Sequence, residues 1–408
     1  MRFCGEYAFA CVTFRLAVTT HKNYHWRIAG FYFFYFAFVG MFAPYWSLYL
    51  KSIRFDAVQI AILLSVQPVM RMIAPGAWGW LADHLGNRKL VVQIAAALGV
   101  ASYLGVFATT SFYGMLLVLA AMGFFWSASM PLVEATTFTW LGKNTAHYGR
   151  IRSWGSVGFI LAVLGLGYAF DYIAIHWLLW AGLFIMLGIL FFARQIPPTV
   201  VLAHHTDSQP IMSIVKQPQV LALLGGCFLM AVAHGPYYTF FSIYLVEHGY
   251  AKSAVGWLWA LGVICEIGIF FLMPWLTRRY TLPQILMVIL ACAVLRFLLI
   301  GWGVDFLWLL LIAQALHAAT FGSFHAAAVA MIHQFFQGRH QSRGQALFGS
   351  LTYGAGGMLG GLASGPVWQH YGASVLYSCS AVMALLGLLL MAWKLGLGNR
   401  GKSRLVEA

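Results

Sequence analysis

Eight ionisable side chains sit in stretches that are otherwise almost wholly apolar: Arg71, Glu134, Arg152, His234, Glu266, Arg296, His317 and His325. Inside a bilayer a charged side chain costs about 2.5–3.5 kcal/mol on insertion scales, so each is by default a candidate for function. Two chemistries are on offer. A buried carboxylate, Glu266 or Glu134, can take and release a proton, with His317 assisting. A guanidinium presents a planar fork that holds a carboxylate bidentately, and Arg71, Arg152 and Arg296 supply three of them. The plainer alternative is that these groups form structural ion pairs, that Arg152 reaches out from a helix end, and that the histidines are packing residues. The arginines outnumber the glutamates, and protonating Glu266 widens the excess. That balance favours an anionic ligand over a neutral sugar.

The elements that must hold these residues follow from composition. Of 408 residues, 62% are hydrophobic and 8% charged. The mean hydropathy is +0.80. A soluble domain carries roughly 25% charged residues, so this chain must face lipid, and an all-α membrane protein is expected. Apolar runs long enough to cross a bilayer place twelve transmembrane helices at 28–50, 57–81, 90–109, 113–140, 152–170, 175–193, 219–245, 254–276, 281–301, 307–332, 346–368 and 374–395. The net charge of +14 does not gather into a patch for nucleic acid. If both termini are cytoplasmic, 19 of the 24 Lys and Arg fall on the inside, three outside (Lys51, Arg54, Lys252) and two within helices. This is the positive-inside bias, and it fixes the expected orientation of a multi-pass protein.

The halves echo one another. Ser47-Leu48-Tyr49-Leu50 recurs as Ser242-Ile243-Tyr244-Leu245 at an offset of 195, and Arg71 and Glu266 stand the same distance apart. Trp154-Gly155-Ser156 recurs as Phe348-Gly349-Ser350 at an offset of 194. A polar connection with three prolines divides them. The expected organisation is therefore an N-terminal cytoplasmic or interfacial segment (1–27), a six-helix half (28–193), a linker (194–218), a second six-helix half (219–395) and a tail (396–408). Parallel repeats with the ligand site between them are a standard transporter plan. Tyr237 and Tyr238, beside a break expected at Gly235-Pro236, are placed to stack on an aromatic ring. The six cysteines contain no C-x-x-C pair and read as packing residues. No metal, nucleotide-phosphate or nucleophile-elbow motif occurs, so no metal site and no enzyme is expected.

Between the second and third runs stands Gly79-Trp80-Leu81-Ala82-Asp83-His84-Leu85-Gly86-Asn87-Arg88-Lys89. It resembles the signature loop of the major facilitator superfamily, with His84 and Asn87 departing from the usual basic residues. The resemblance implies two pseudo-symmetric six-helix bundles, and a conformational latch made of Gly79, Asp83, Gly86, Arg88 and Lys89. Tyr148-Gly149-Arg150-Ile151-Arg152-Ser153-Trp154-Gly155-Ser156 and Val255-Gly256-Trp257-Leu258-Trp259-Ala260-Leu261-Gly262-Val263, with His234, Tyr237-Tyr238 and Leu316-His317, resemble the 3-phenylpropionic acid transporter family. That family is similar to the lactose permease group of proton symporters. Pro131-Leu132-Val133-Glu134-Ala135 resembles the permease segment whose glutamate binds sugar, and Arg152 follows Glu134 at the partner arginine's 18-residue spacing. Glu266, Arg296 and His317 match a glutamate, an arginine and a histidine used there for substrate and proton. A carboxylate three residues after the histidine is replaced by Thr320.

The expectation is a symporter that imports a small organic acid such as 3-phenylpropionate. Arg71, Glu134, Arg152, His234, Tyr237, Tyr238 and Arg296 would bind substrate, and Glu266 with His317 would carry the proton. No cofactor is expected beyond the proton gradient. The expected setting is the bacterial cell inner membrane, with lipid, protons and the substrate as partners and the monomer as the working form. A sugar or nucleoside symporter is the nearest alternative. A drug exporter, or a non-transporting sensor, is further off.

Overall fold

The computed structural model describes residues 5–142, 144, 147–198 and 211–396. Among them all regular structure is helical. The spanning helices are α1 (Gly5–Ser52), α2 (Ala57–Leu85), α3 (Arg88–Leu104), α4 (Phe112–Leu141), α5 (Tyr148–Tyr172), α6 (Leu178–Ala193), α7 (Pro218–Glu247), α8 (Lys252–Arg279), α9 (Leu282–Trp302) and α10 (Leu307–Phe335). The last continuous stretch, Gln341–Leu395, is divided by Gly372, whose φ of 79° and ψ of −179° are not helical. It therefore supplies α11 (341–371) and α12 (373–395), the expected eleventh and twelfth helices. Much of the linker (199–210) and most of the tail (397–408) lie outside the described residues. From residue 5 onward the segment expected before the first span continues α1 instead of standing apart.

Local sequence sets the helix ends. Asp56 caps α2, its Oδ1 accepting from Gln59 N at 2.8 Å while Gln59 Oε1 accepts from Asp56 N at 3.2 Å. Gly86 closes that helix at φ 62°, a left-handed turn that favours glycine. Thr281 and Gln284 repeat the capping box at α9. The break expected at Gly235-Pro236 is absent: α7 runs unbroken through Pro236. Neighbouring groups take up the disturbed backbone. Thr239 Oγ1 donates to Gly235 O at 2.9 Å, and the backbone of Gly360 packs on the Val232 carbonyl. Irregular backbone appears elsewhere, as π-helical segments at Ala318–Ser323 in α10 and Ser350–Gly356 in α11. Such segments are frequent at functional sites.

Glycine permits the closest contacts within each half. In one half Gly40 of α1 meets the Phe159 backbone of α5, and in the other Gly235 of α7 meets Gly360 and Gly361 of α11. Gly40 and Gly235 are 195 positions apart, so the repeat seen in sequence is a repeat in packing.

The halves touch along α2–α11 and α5–α8. These contacts lie toward the face away from the chain ends, here the far face. Gly365 packs on Val58 and Ala61, Gly361 on Ser65, and Gly354 on Met72. Gly167 packs on Lys252 and Ser253, and Gly256 on Val163 O. Lys51 pairs with Glu247 across the same face, and Tyr168 Oη accepts from Trp257 Nε1 at 2.8 Å. Toward the opposite, terminal face there is open space beside Gly76, Gly79, Gly149, Gly268 and Gly349. The halves are thus closed at the far face and parted at the terminal one.

Candidate functional site

Three helices of the second half, α7, α9 and α10, meet at Arg296. This side chain from α9 is 0% exposed. Its Nε donates to Ala313 O at 3.2 Å, and Nη1 lies 3.1 Å from His234 Nε2 and 3.4 Å from Thr320 Oγ1. His234 Nδ1 is 2.9 Å from Met230 O, a carbonyl that can only accept. His234 therefore carries a proton on Nδ1 and offers Nε2 as the acceptor for the guanidinium. The guanidinium also lies 4.2 Å from the Tyr237 ring centroid, a cation–π contact. Its Nη2 has no hydrogen-bond partner among the described residues.

Beside it, His317 Nε2 lies 3.0 Å from Glu266 Oε1, with the two side chains 7% and 12% exposed. The contact is close but not aligned as a hydrogen bond, since Oε1 and His317 Nδ1 both remain unpartnered. Gly262, one turn before Glu266 on α8, makes the approach possible. A methyl there would come within 2.9 Å of His317 Cδ2. The imidazole stacks on Phe321 at 5.4 Å and faces Tyr237 at 5.5 Å. Tyr237 is 1% exposed and donates to Gln314 Oε1 at 3.1 Å. Tyr238 is 37% exposed, its ring 6.1 Å from Trp259 and 6.5 Å from Phe321. Trp259 packs on Tyr237 at 4.8 Å and completes an aromatic wall.

The first half is arranged differently. Arg71 of α2 is exposed, with its guanidinium 5.5 Å from the Trp126 ring. Glu134 accepts from Tyr148 Oη at 3.0 Å. Arg152 lies 3.8 Å from the centroid of Phe36. Among the described residues Glu134 and Arg152 form no ion pair, and neither do Arg71 and Glu266. The sequence thus places His234, Tyr237, Tyr238, Glu266, Arg296 and His317 together in one cluster, and leaves Arg71, Glu134 and Arg152 separate from it. His325, from α10, contacts Tyr353 Oη at 2.8 Å. Around the α2–α3 turn, Asp83 at the end of α2 is exposed with no ion pair among the described residues, Gly79 borders open space, Lys89 of α3 is half-buried and Arg88 reaches Thr139 at 3.4 Å.

Residues that charge and spacing did not single out are Gln314, Phe321, Gln67, Trp126, Ser127 and Tyr148. Gln67 and Gln314 carried a signal, an amide inside an apolar run. The others look like ordinary packing residues.

Twelve spanning helices in two repeated halves, with titratable groups enclosed at mid-bundle depth, define a multi-pass membrane protein of the major facilitator transporter fold. The chain belongs to the MFS_1 like family, whose profile it matches over residues 25–379. It is 31% identical over 375 residues to the "Probable 3-phenylpropionic acid transporter" of Escherichia coli strain K12, covering 90% of this chain and 96% of that protein. The crystal structure of the nucleoside transporter NupG superposes with a TM-score of 0.77 at 17% identity, over 91% of this chain and 99% of that one. The human organic anion transporter MFSD10 (TETRAN) superposes with a TM-score of 0.62 at 17% identity, over 91% and 99% of the two chains.

Proposed function

We propose that the protein is a proton-linked symporter importing a small organic acid that bears an aryl group, with 3-phenylpropionate as the type. The observation that carries this reading is the Glu266–His317 pair, buried beside Arg296 and walled by Tyr237, Tyr238, Trp259 and Phe321. The pair can hold one proton and be neutral. Without it the pair is an anion whose nearest arginine, Arg296, is occupied by Ala313, His234 and Thr320. A substrate anion entering the same cavity repels that bare carboxylate, so substrate binding and proton retention favour one another. Linkage requires the preference to be reciprocal, which is what symport needs. The aromatic wall supplies a stacking surface for a phenyl ring. Exchange then consists of rocking the halves about the cavity.

The distribution of Lys and Arg supports a bacterial inner-membrane setting with both termini in the cytoplasm. On that orientation the parted face looks inward and the closed far face outward. The relative in E. coli, named for 3-phenylpropionic acid, supports the substrate class. Nucleoside symport is the second reading, favoured by the fold likeness to NupG. The test is uptake into proteoliposomes of labelled 3-phenylpropionate, lactose and uridine, with and without an imposed pH gradient. Gradient-driven accumulation of the acid alone is expected. Accumulation of uridine or lactose instead would overturn the choice of substrate, and gradient-independent uptake would overturn the coupling.

A further inference from the structure

A second set of buried polar groups, in the first half, has no part in the proton pair. Gln67 of α2 is 8% exposed and neither atom of its amide has a hydrogen-bond partner among the described residues. Trp126 Nε1 and Ser127 Oγ of α4 are equally buried and equally unpartnered. The three belong to one place. Gly123 of α4 stands against the Gln67 amide, where a methyl would lie 3.3 Å from both Nε2 and Oε1, and Trp126 and Ser127 follow one turn along the same helix. Arg71, one turn after Gln67 on α2, sets its guanidinium 5.5 Å from the Trp126 ring centroid. Trp126 is in turn stacked on Tyr35 of α1 at 4.5 Å and almost wholly buried. An arginine tip over a buried indole points into the bundle. Since Arg71 is nevertheless exposed, it borders the opening between the halves.

The chemistry of the set is one-sided. The guanidinium, the indole N–H, the hydroxyl and the amide NH2 are all donors, and only the hydroxyl and amide oxygens can also accept. Buried polar groups are paired in native proteins, so convergent groups left unpartnered call for an acceptor-rich ligand. The acids on the same helices are remote: Glu134 lies eight positions along α4 from Trp126, about 12 Å at the helical rise. Asp56 and Asp83 stand at the two ends of α2, and Glu134 is taken by Tyr148. Tyr353 of α11 stands across from this set, its neighbour Gly354 packing on Met72, the residue after Arg71.

We infer that Arg71, Gln67, Trp126 and Ser127 form the receptor for the substrate's carboxylate, while the second half holds its aryl group and the proton. This rests on the organic-acid reading above and adds the end-to-end orientation of the ligand. Arg296, fully buried, with Nε and Nη1 committed to Ala313, His234 and Thr320 and only Nη2 unpartnered among the described residues, is then a positioning residue for the proton pair, not the ligand's counter-ion.

The test is calorimetric binding of 3-phenylpropionate and of its neutral amide, 3-phenylpropanamide, to the full chain in detergent. Arg71→Gln should weaken the acid about 10- to 100-fold, the scale of a charge-assisted pair, and leave the amide within about twofold. Trp126→Phe keeps the ring and removes only the N–H, and Gln67→Leu removes the amide. Each should weaken the acid several-fold more than the amide. Unchanged amide affinity also shows that a variant is folded. If Arg71→Gln and Trp126→Phe bind the acid as the wild type does, or lose acid and amide equally, the carboxylate is held elsewhere and this inference fails while the organic-acid reading stands. If the wild type binds neither compound but binds uridine, both fail together.

Discussion

The N-terminus of α8 is capped by a residue from the other half of the molecule, and removing that residue should shift the balance between conformations. At α2 the cap is local, Asp56. At the same offset of 195 the second half has Ala251, with no side chain to offer. Asp171 at the end of α5 takes over, its Oδ1 accepting from Lys252 N at 2.8 Å and Ser253 N at 3.3 Å. This cap exists only while the far face is closed. Replacing a capping Asp by Ala costs about 0.5–2 kcal/mol, typically about 1. Here the whole cost falls on the closed state, because in the parted state water meets α8 in both proteins. About 1 kcal/mol corresponds to a shift of roughly fivefold toward the state open at the far face. Spin labels on cysteines at Tyr113 and Trp308, exposed far-face ends of α4 and α10, would report it as a larger long-distance population in a cysteine-free background. Asp171→Asn, which keeps an acceptor oxygen, should fall between. Asp56→Ala is the control, since its cap is internal to α2 and should lower stability without moving the equilibrium. An unchanged distance distribution in Asp171→Ala, or an equal shift in Asp56→Ala, would refute the reasoning.

Glu266→Gln, a mimic of the protonated acid, should exchange substrate across the membrane but fail to concentrate it under a pH gradient, and retained accumulation would move the proton to His317 or Glu134. Arg296→Lys loses the Nε and Nη1 bonds to Ala313, His234 and Thr320, so the protein should lose about 1–3 kcal/mol of stability, seen as a lower thermal midpoint with impaired uptake. Asp83→Asn should slow transport severely with little effect on binding measured in detergent, because Asp83 has no ion pair among the described residues at the parted face and would act only when that face closes. Normal uptake by a well-expressed Asp83→Asn protein would remove the latch role. Lys51→Ala breaks an exposed ion pair worth about 0.2–1 kcal/mol, so it should add modestly to the Asp171→Ala shift in the spin-label measurement, and less in high salt.

The helices were legible because a spanning helix must be long and apolar whatever it packs against, and the repeat was legible from short matches such as Ser47–Leu50 with Ser242–Leu245. The Glu266 cluster was legible for a related reason: Glu266, Arg296 and His317 stand out in an apolar run. What stayed hidden depends on partners. The resemblance to the permease group implied a Glu134–Arg152 pair, but Tyr148 reaches the glutamate and Phe36 takes the guanidinium. Pro236 suggested a break, and packing by Gly360 with the Thr239 hydroxyl removed the need for one. The π segments at 318–323 and 350–356 carry no spacing signal at all. Gln67 carried the weak signal of an amide in an apolar run, but Trp126 and Ser127 are ordinary residues of a membrane helix until the fold leaves them without partners among the described residues.

The repeat also explains how one cavity can hold two chemistries. Gln67 and Arg71 on α2 correspond, at the offset of 195, to Gly262 and Glu266 on α8. In the first half the turn carries an amide and a cation, and Gly123 on the neighbouring helix keeps the amide open. In the second half the amide position has become the glycine itself, which lets the His317 ring approach, and the cation position has become the carboxylate that ring meets. On the reading proposed above, the same two positions, one turn apart on equivalent helices, supply an anion receptor on one wall and a proton site on the other. Since α2 and α8 each also line a contact between the halves, on α11 and α5, rocking the halves moves both walls relative to the far-face seal. A ligand held at both ends would bridge the walls and tie its own charge to the proton on Glu266. A ligand lacking either the carboxylate or the ring would engage one wall only. Such a compound should bind weakly and, on this division of labour, should be carried without being concentrated.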